Sequence, residues 1–219
     1  MKKFIDNAYE KYNFLTHFIG VIIGVIALVL INIYIGFNYI DNNIEVLDVL
    51  GINIFIICMI LLYSASSYYH YIKDNDNNKL LSRKLDHSMI FFLIAGSYTP
   101  ICFKYLPDNK GIIFVCVLFV VAILGVIMKI FWLNAPRVLY TLIYLVMGWA
   151  ILFDIDSFSY VPIDLLYYIL ISGISYSIGA IIYVFKKPNF KLFGFHEIFH
   201  IFILTGTLIQ LIVYTIYII

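Results

Sequence analysis

Apolar residues run along this chain in seven long stretches, separated by short polar segments. About 20 consecutive apolar residues span a bilayer as an α-helix, so each stretch predicts one transmembrane helix. The linkers leave no room for a separate soluble domain, so residues 1–219 are predicted to form a single all-α membrane domain, a bundle of seven transmembrane helices. The stretches cover roughly residues 16–37, 47–71, 86–105, 111–131, 134–153, 161–185 and 194–219.

The segment before the first stretch, residues 1–15, has a different pattern. Phe4, Ile5, Ala8 and Tyr12 fall near one face of a helix, which favours a short helix lying in the membrane interface. A soluble tail is the alternative, because the pattern is short. The first apolar stretch starts late and has no small-residue cleavage site, so we expect it to be a permanent helix and not a signal peptide.

Composition and charge agree with a membrane protein and indicate its orientation. The chain is 63% hydrophobic and 12% charged, whereas soluble domains are about half apolar and about a quarter charged.

With seven crossings, Lys104 and Lys110 fall on one side and the other 12 of the 14 basic residues, including Lys129, on the opposite side. Positive loops stay in the cytoplasm, so we expect a cytoplasmic N-terminus and an outside C-terminus in the cell membrane. Topology explains these charges, so no nucleic-acid partner is indicated.

All five histidines of the chain lie at predicted cytoplasmic ends of helices. An ionisable residue inside a bilayer costs about 2.5–3.5 kcal/mol at the centre of a helix, so it needs a partner or a function. Helices of alternating direction bring these ends to one depth, and the histidines are therefore expected close together. They are His17, His70, His87, His196 and His200.

Spacing along the helices singles out three of them as zinc ligands. His196 and His200 are four residues apart, so they share one helix face and form a bidentate pair. His70 ends the second helix, where Ser66 lies one turn earlier, and Asp86 opens the third. Three imidazoles with an oxygen ligand or water make a tetrahedral Zn²⁺ site. Asp86 and Ser66 are then candidates to hold or deprotonate the water.

Each of these residues also has a simpler explanation. A single histidine near the membrane surface often does no more than extend its ring to the interface or form a hydrogen bond to a neighbouring residue. Asp86 can cap its helix, where a carboxylate suits the N-terminus, and Ser66 can be a packing residue. The roles of Glu10, Asn13, His17, His87 and Glu197 stay open at this stage.

His196, Glu197 and His200 also fit H-E-x-x-H, the pattern of many zinc proteases. Such proteases usually take their third ligand from downstream, but no Asp, Glu, His or Cys follows His200 in this chain. Glu197 also lies about 100° round the helix from His196 and need not point at the metal. These observations disfavour an intramembrane protease.

Four ordered motifs resemble the haemolysin III family of bacteria, the prokaryotic branch of the progestin and adipoQ receptor family that includes the adiponectin receptors. They are EKYNFLTH at 10–17, SSYYH at 66–70, LDHSMIFFLIAGSYTP at 85–100 and FGFHEIFHIF at 193–202. The resemblance implies a seven-helix bundle with an inside N-terminus. It also implies zinc near the cytoplasmic face on His70, His196 and His200, with Asp86 and Ser66 beside it. One departure is Gln210, where many members carry a further histidine.

Three functions are compatible with this pattern. The first is a zinc-dependent hydrolase of a lipid amide of the ceramide type, with Asp86 as general base and Ser66 orienting water or the developing oxyanion. The second is a non-enzymatic sensor or regulator of membrane state with structural zinc. The third is the pore-forming haemolysin that the family name implies, although spans this apolar do not suggest a wide aqueous pore. Membrane lipid is the expected partner, and the sequence does not define an oligomeric state.

Overall fold

The regular structure of the protein is helical throughout the residues that the computed structural model describes, which are 5–39, 44–75, 77–191 and 193–219. Seven α-helices lie entirely within these ranges, and two short 3₁₀ helices, Ala150–Phe153 and Ser157–Tyr160, follow the fifth of them. The α-helices are α1 Lys11–Asn38, α2 Val46–Tyr71, α3 Lys79–Tyr105, α4 Lys110–Phe131, α5 Arg137–Gly148, α6 Ile163–Phe185 and α7 Phe195–Tyr217.

Among the described residues, five of these helices are long and apolar enough to cross a membrane: α1, α2, α4, α6 and α7. Helix α3 is equally long but carries more polar residues, among them His87, Ser97 and Thr99. Helix α5 has 12 residues and is apolar but short. The helical fold is therefore confirmed, and the crossing of the membrane seven times stays a prediction.

Two helices begin earlier than the apolar pattern indicates. Helix α1 starts at Lys11 and α3 at Lys79, because backbone hydrogen bonding continues through polar residues that hydropathy does not register. The interfacial helix predicted for residues 1–15 falls partly on residues 1–4, which lie outside the described residues. Of the remainder, Ile5 and Asp6 are helical, Ala8 closes a turn by donating its N–H to the Ile5 carbonyl at 3.2 Å, and residues 11–15 belong to α1.

The helices pack as a bundle whose outer surface is apolar. Helix α2 packs against α1 and α3, α4 packs against α3, and α6 packs against α7, while α1 and α7 also meet. On α1, Val29, Leu30 and Ile33 are each more than half exposed, as expected for side chains that face lipid and not water. Polar side chains such as Ser66, Thr99 and Thr207 are instead fully buried between helices.

The two ends of the bundle carry different polar groups. One end, called the histidine end below, holds the last turn of α2 and the first turns of α1, α3 and α7. At the opposite end, Lys104 and the buried Asp48 form an ion pair at 2.5 Å, and Lys110 donates to Ser157 at 2.9 Å. Arg137 contacts the carbonyl of Tyr183, near the end of α6, and the Tyr183 ring contacts His196, so Arg137 lies at the histidine end. Ser157 lies at the opposite end, where it contacts Lys110. The chain therefore passes from one end of the bundle to the other between Arg137 and Ser157.

Candidate metal centre

Three histidines come together at the histidine end, as the spacing predicts. His70 and His200 are buried and His196 is half-buried. One ring nitrogen from each lies within 4.8 Å of the others, so the group could hold a metal ion. The geometry follows from the sequence: the last turn of α2 supplies His70, and the first two turns of α7 supply His196 and His200 from one face.

Glu10 orients the first of these imidazoles. Its carboxylate contacts His70 Nδ1, and this hydrogen bond chiefly holds the pKa of the Glu10 carboxyl below its ordinary value, against the opposing effect of burial. The other nitrogen of the ring, His70 Nε2, is buried and has no hydrogen-bond partner among the described residues. A carboxylate on one nitrogen and a free lone pair on the other is the arrangement typical of metal-binding histidines.

Thr16 holds His200 in a similar way. The Thr16 hydroxyl donates to the Asn13 carbonyl at 2.9 Å, so it is placed to accept a hydrogen bond from His200 Nδ1 at 3.2 Å. That tautomer leaves His200 Nε2 with a lone pair for a metal. The donor set therefore fits a metal ion: three imidazoles converge, and the second nitrogens of two of them are engaged by Glu10 and Thr16.

His17 joins the cluster without belonging to the three-histidine group. Its ring stacks on His200 with centroids 3.6 Å apart and planes 15° from parallel. Both of its ring nitrogens are buried and lack a hydrogen-bond partner within the described part of the chain. The E-x-x-N-x-x-T-H segment at residues 10–17 thus contacts the three-histidine group through Glu10, Thr16 and His17. The sequence left the roles of Glu10 and His17 open and gave no role to Thr16.

Asp86 and Ser66, the predicted catalytic pair, are both buried beside the histidines. Asp86 interacts electrostatically with His70 and with Ser66. The Ser66 hydroxyl faces that carboxylate, although within the described residues it makes no hydrogen bond of standard geometry. Asp86 is not part of the three-histidine group, so its carboxylate stays available for another role.

Glu197 has a structural role that answers the protease hypothesis. Its carboxylate accepts a hydrogen bond from the Gly194 backbone N–H at 2.9 Å, so it caps the N-terminus of α7.

His87 is half-buried and is likewise outside the three-histidine group. Gln210 is buried and accepts from the Tyr176 hydroxyl at 3.0 Å, so a polar contact exists where relatives were expected to carry histidine.

A cavity opens beside the histidines and extends towards the opposite end. Its empty volume is about 1310 Å³, including its open mouth. His17, Asp86, His196 and His200 line it at one end, and Gln210 and Tyr214 lie further along. The walls between them are mainly apolar and come from α3, α5, α6 and α7, with Ile90, Leu93, Ile169 and Ile203 among them. Such a cavity suits a ligand with long hydrocarbon chains.

Lys129, which the charge asymmetry assigns to the cytoplasmic side of the predicted span 111–131, is buried inside the bundle. It lies in the last turn of α4 with no exposed surface. Its ammonium group sits on the face of the Tyr140 ring, with Nζ 2.8 Å from the centroid. The hydropathy of the sequence and the distribution of charges between the two sides show only that Lys129 lies near the end of a helix. Neither can distinguish a lysine in water from a buried one.

The apolar exterior and the polar, histidine-lined interior define a multi-pass membrane protein with a candidate metal centre. The chain belongs to the family described as Haemolysin-III related, whose model matches residues 6–211. It is 34% identical over 202 residues to the Hemolysin-3 homolog of Bacillus subtilis, covering 90% of this chain and 89% of that protein. It is also 34% identical over 202 residues to Hemolysin-3 of Bacillus cereus, covering 90% of this chain and 86% of that protein. Together with its long apolar helices, this makes it a multi-pass cell membrane protein.

Proposed function

We propose that this protein is a zinc-dependent hydrolase of lipid amides, with an N-terminus in the cytoplasm and seven membrane crossings. The observation that carries the proposal is the position of Asp86, a buried carboxylate outside the three-histidine group, at the end of a long apolar cavity. A structural metal site needs neither the spare carboxylate nor the cavity. Three imidazole ligands favour zinc, since catalytic zinc sites commonly have three protein ligands and one open position.

His70, His196 and His200 would hold the ion. When bound, Zn²⁺ acts as a Lewis acid that polarises a carbonyl group and lowers the pKa of a water molecule to about 7. Glu10 and Thr16 keep two of the ligand rings in the correct orientation and tautomer.

Asp86 and Ser66 supply the proton transfers and the charge stabilisation. Asp86 accepts a proton from water, and the hydroxyl oxygen forms a bond to the amide carbon. Ser66 donates a hydrogen bond to the carbonyl oxygen as negative charge develops on it. The C–N bond then breaks, Asp86 returns the proton to the leaving nitrogen, and the products are a free fatty acid and an amine. No oxidant or reductant is required.

Two measurements test this function. Elemental analysis of detergent-purified protein should give one zinc per chain, and the His196→Ala/His200→Ala variant should lose it. Incubation with a panel of amide-linked lipids should release fatty acid, and Asp86→Asn should abolish the release while the zinc stays bound. Fatty-acid release that is unchanged in Asp86→Asn would contradict the role of this carboxylate.

Two other functions remain as alternatives. A sensor or regulator with structural zinc would show no turnover on any lipid, while Asp86→Asn would still alter membrane composition in cells. The names of the Bacillus relatives suggest haemolysis. A pore-forming function would be supported by release of dye from liposomes by purified protein, and excluded by the absence of release at high protein load.

A further inference from the structure

The part of the cavity away from the histidines holds a side-chain amide whose N–H donors have no partner. Gln210 is buried on α7 and lines the cavity. Its Oε1 accepts a hydrogen bond from the Tyr176 hydroxyl at 3.0 Å, but its Nε2 makes no hydrogen bond with any residue that the structure describes. This Nε2 keeps accessible surface, unlike the unpartnered ring nitrogens of His17. The two N–H groups of the amide are therefore open to a ligand in the cavity.

A chain of hydrogen bonds fixes the direction of this amide. Tyr176, which donates to Gln210, also contacts the Thr207 hydroxyl at 3.0 Å. Thr207 accepts in turn from the Tyr63 hydroxyl at 2.8 Å, and both of these residues are fully buried. Because Oε1 and Nε2 diverge from one carbon atom, the contact of Oε1 with Tyr176 turns Nε2 away from that ring.

Other hydroxyl groups in this part of the wall are bound to backbone carbonyls. The Tyr98 hydroxyl donates to the Gly148 carbonyl at 2.6 Å, and the Tyr214 hydroxyl donates to the Ser97 carbonyl at 2.7 Å. The Ser97 hydroxyl donates at 2.8 Å to a carbonyl one turn earlier on its own helix. A hydroxyl has a single proton, so none of these three groups has a donor left for a ligand. A ligand oxygen that reaches this region can instead accept a hydrogen bond from Gln210.

The position of Gln210 defines where on a ligand that oxygen must lie. Gln210 follows His200 by ten residues on α7, which corresponds to about 15 Å along the helix axis. An extended chain advances about 1.2 Å per bond, so this distance equals about 12 bonds. The wall between the two residues includes the apolar side chains of Ile203 and Ile169. A hydrocarbon chain fits this stretch, and an oxygen at its far end would remove the cost of an unpartnered amide.

We propose that Gln210 binds an oxygen atom on the hydrocarbon chain of the lipid ligand, about 12 bonds from its head group, and so selects oxygenated chains over plain ones. The position of the head group at the three histidines rests on the proposed hydrolase function. The preference for an oxygenated chain is a property of binding and requires no turnover, so the two can fail separately. Preference without hydrolysis leaves Gln210 as a recognition residue, whereas hydrolysis that does not depend on the chain oxygen overturns this inference alone.

Competition between fatty acids in a neutral detergent tests the proposal with defined probes. On the wild-type protein, 12-hydroxystearate should displace a fluorescent fatty acid at a concentration about 3- to 10-fold lower than stearate, as one additional hydrogen bond predicts. The positional isomer 6-hydroxystearate places its hydroxyl against the apolar wall and should bind more weakly than stearate. Equal or tighter binding of stearate than of 12-hydroxystearate would overturn the proposal, because the amide would then have only a structural role or hold only water.

Substitution of Gln210 locates the effect. Gln210→Met keeps the length of the side chain but removes the amide, and Tyr176 keeps its contact with Thr207. The hydroxyl of 12-hydroxystearate would then be buried without a partner, so the preference should reverse in favour of stearate by about 5-fold or more.

Ser97→Ala is the matched control for this substitution. It also removes a polar group from the cavity wall, but one whose hydrogen bond stays within its own helix, so the preference of the wild type should persist. An unchanged preference in Gln210→Met would refute the proposal even if both fatty acids bound more weakly. If Gln210→Met does not fold, the comparison of the two positional isomers on the wild type still decides.

Discussion

At the scale of single residues, the contact between Glu10 and His70 gives the most direct prediction about the metal centre. Glu10→Gln keeps the shape of the side chain but removes the charge that supports the ligand ring. Removing such a carboxylate behind a metal-binding histidine lowers metal affinity by about 10- to 100-fold. Competition of the purified variant with a chromophoric zinc chelator measures this loss.

Glu197→Gln is the matched control for that experiment, because Glu197 belongs to the same sequence motif as two ligands but caps α7. Its metal affinity should equal that of the wild type, and so should its rate of lipid hydrolysis. A loss of catalysis with retained zinc in Glu197→Gln would instead favour the arrangement of a zinc protease and contradict the assignment of the base to Asp86.

The spacing within one helix made some of the site residues recognisable, whereas the contacts made by Glu10 and Thr16 have no local signal in the sequence. His196 and His200 are recognisable because a helix places them on one face. Glu10 contacts a histidine 60 residues later and Thr16 contacts one 184 residues later, so no local pattern indicates either contact. Lys129 was missed for a different reason, since a lysine at a helix end is ordinarily solvated and only its neighbours reveal its burial.

At the scale of helices, close approaches depend on glycine. A Cβ atom at Gly111, in the first turn of α4, would lie 2.0 Å from the Cys102 carbonyl oxygen of α3. Backbone cannot move aside as a flexible side chain can, so Gly111→Ala should separate α3 from α4. We expect a loss of about 1–3 kcal/mol in the free energy of unfolding, measured by denaturation in mild detergent.

Gly36→Ala provides the comparison for this prediction. Among the described residues, no atom of a neighbouring element lies within 4 Å of the Cβ position at Gly36, near the end of α1. Since alanine favours a helix over glycine by about 0.8–1.0 kcal/mol, this variant should be as stable as the wild type or slightly more stable. If both variants lost the same stability, the effect would not come from the approach of α3 and α4.

Hydropathy predicts the helices well because a bilayer allows few alternatives: backbone groups without water must be satisfied within each helix. It predicts their ends poorly, as α1 and α3 show, because a helix continues into water wherever its polar residues still form backbone hydrogen bonds. It also overlooks the division of the fifth stretch into α5 and a 3₁₀ turn, which no change in apolar composition marks.

At the scale of the whole molecule, the topology depends on that fifth stretch. Helix α5 rises only about 18 Å over its 12 residues, and the Ala150–Phe153 turn adds about 8 Å, against a hydrocarbon core of about 30 Å. Even so, Arg137 lies near the last turns of α6 at the histidine end and Ser157 contacts Lys110 at the opposite end. We therefore expect the chain to cross the membrane between Arg137 and Ser157.

Reporter fusions decide this point. Alkaline phosphatase, which is active only outside the cytoplasm, should be active when fused after Tyr160 and after Ile219, whereas a fusion after Ala135 should be inactive. A fusion after Pro107 should be active as well; it lies between α3 and α4, so its activity reports on the crossing of α3 and does not depend on α5. Inactive fusions after Tyr160 would mean that α5 does not cross. The end of α2 and the start of α7 would then lie on opposite faces of the membrane, and His70 could not share a metal with His196 and His200.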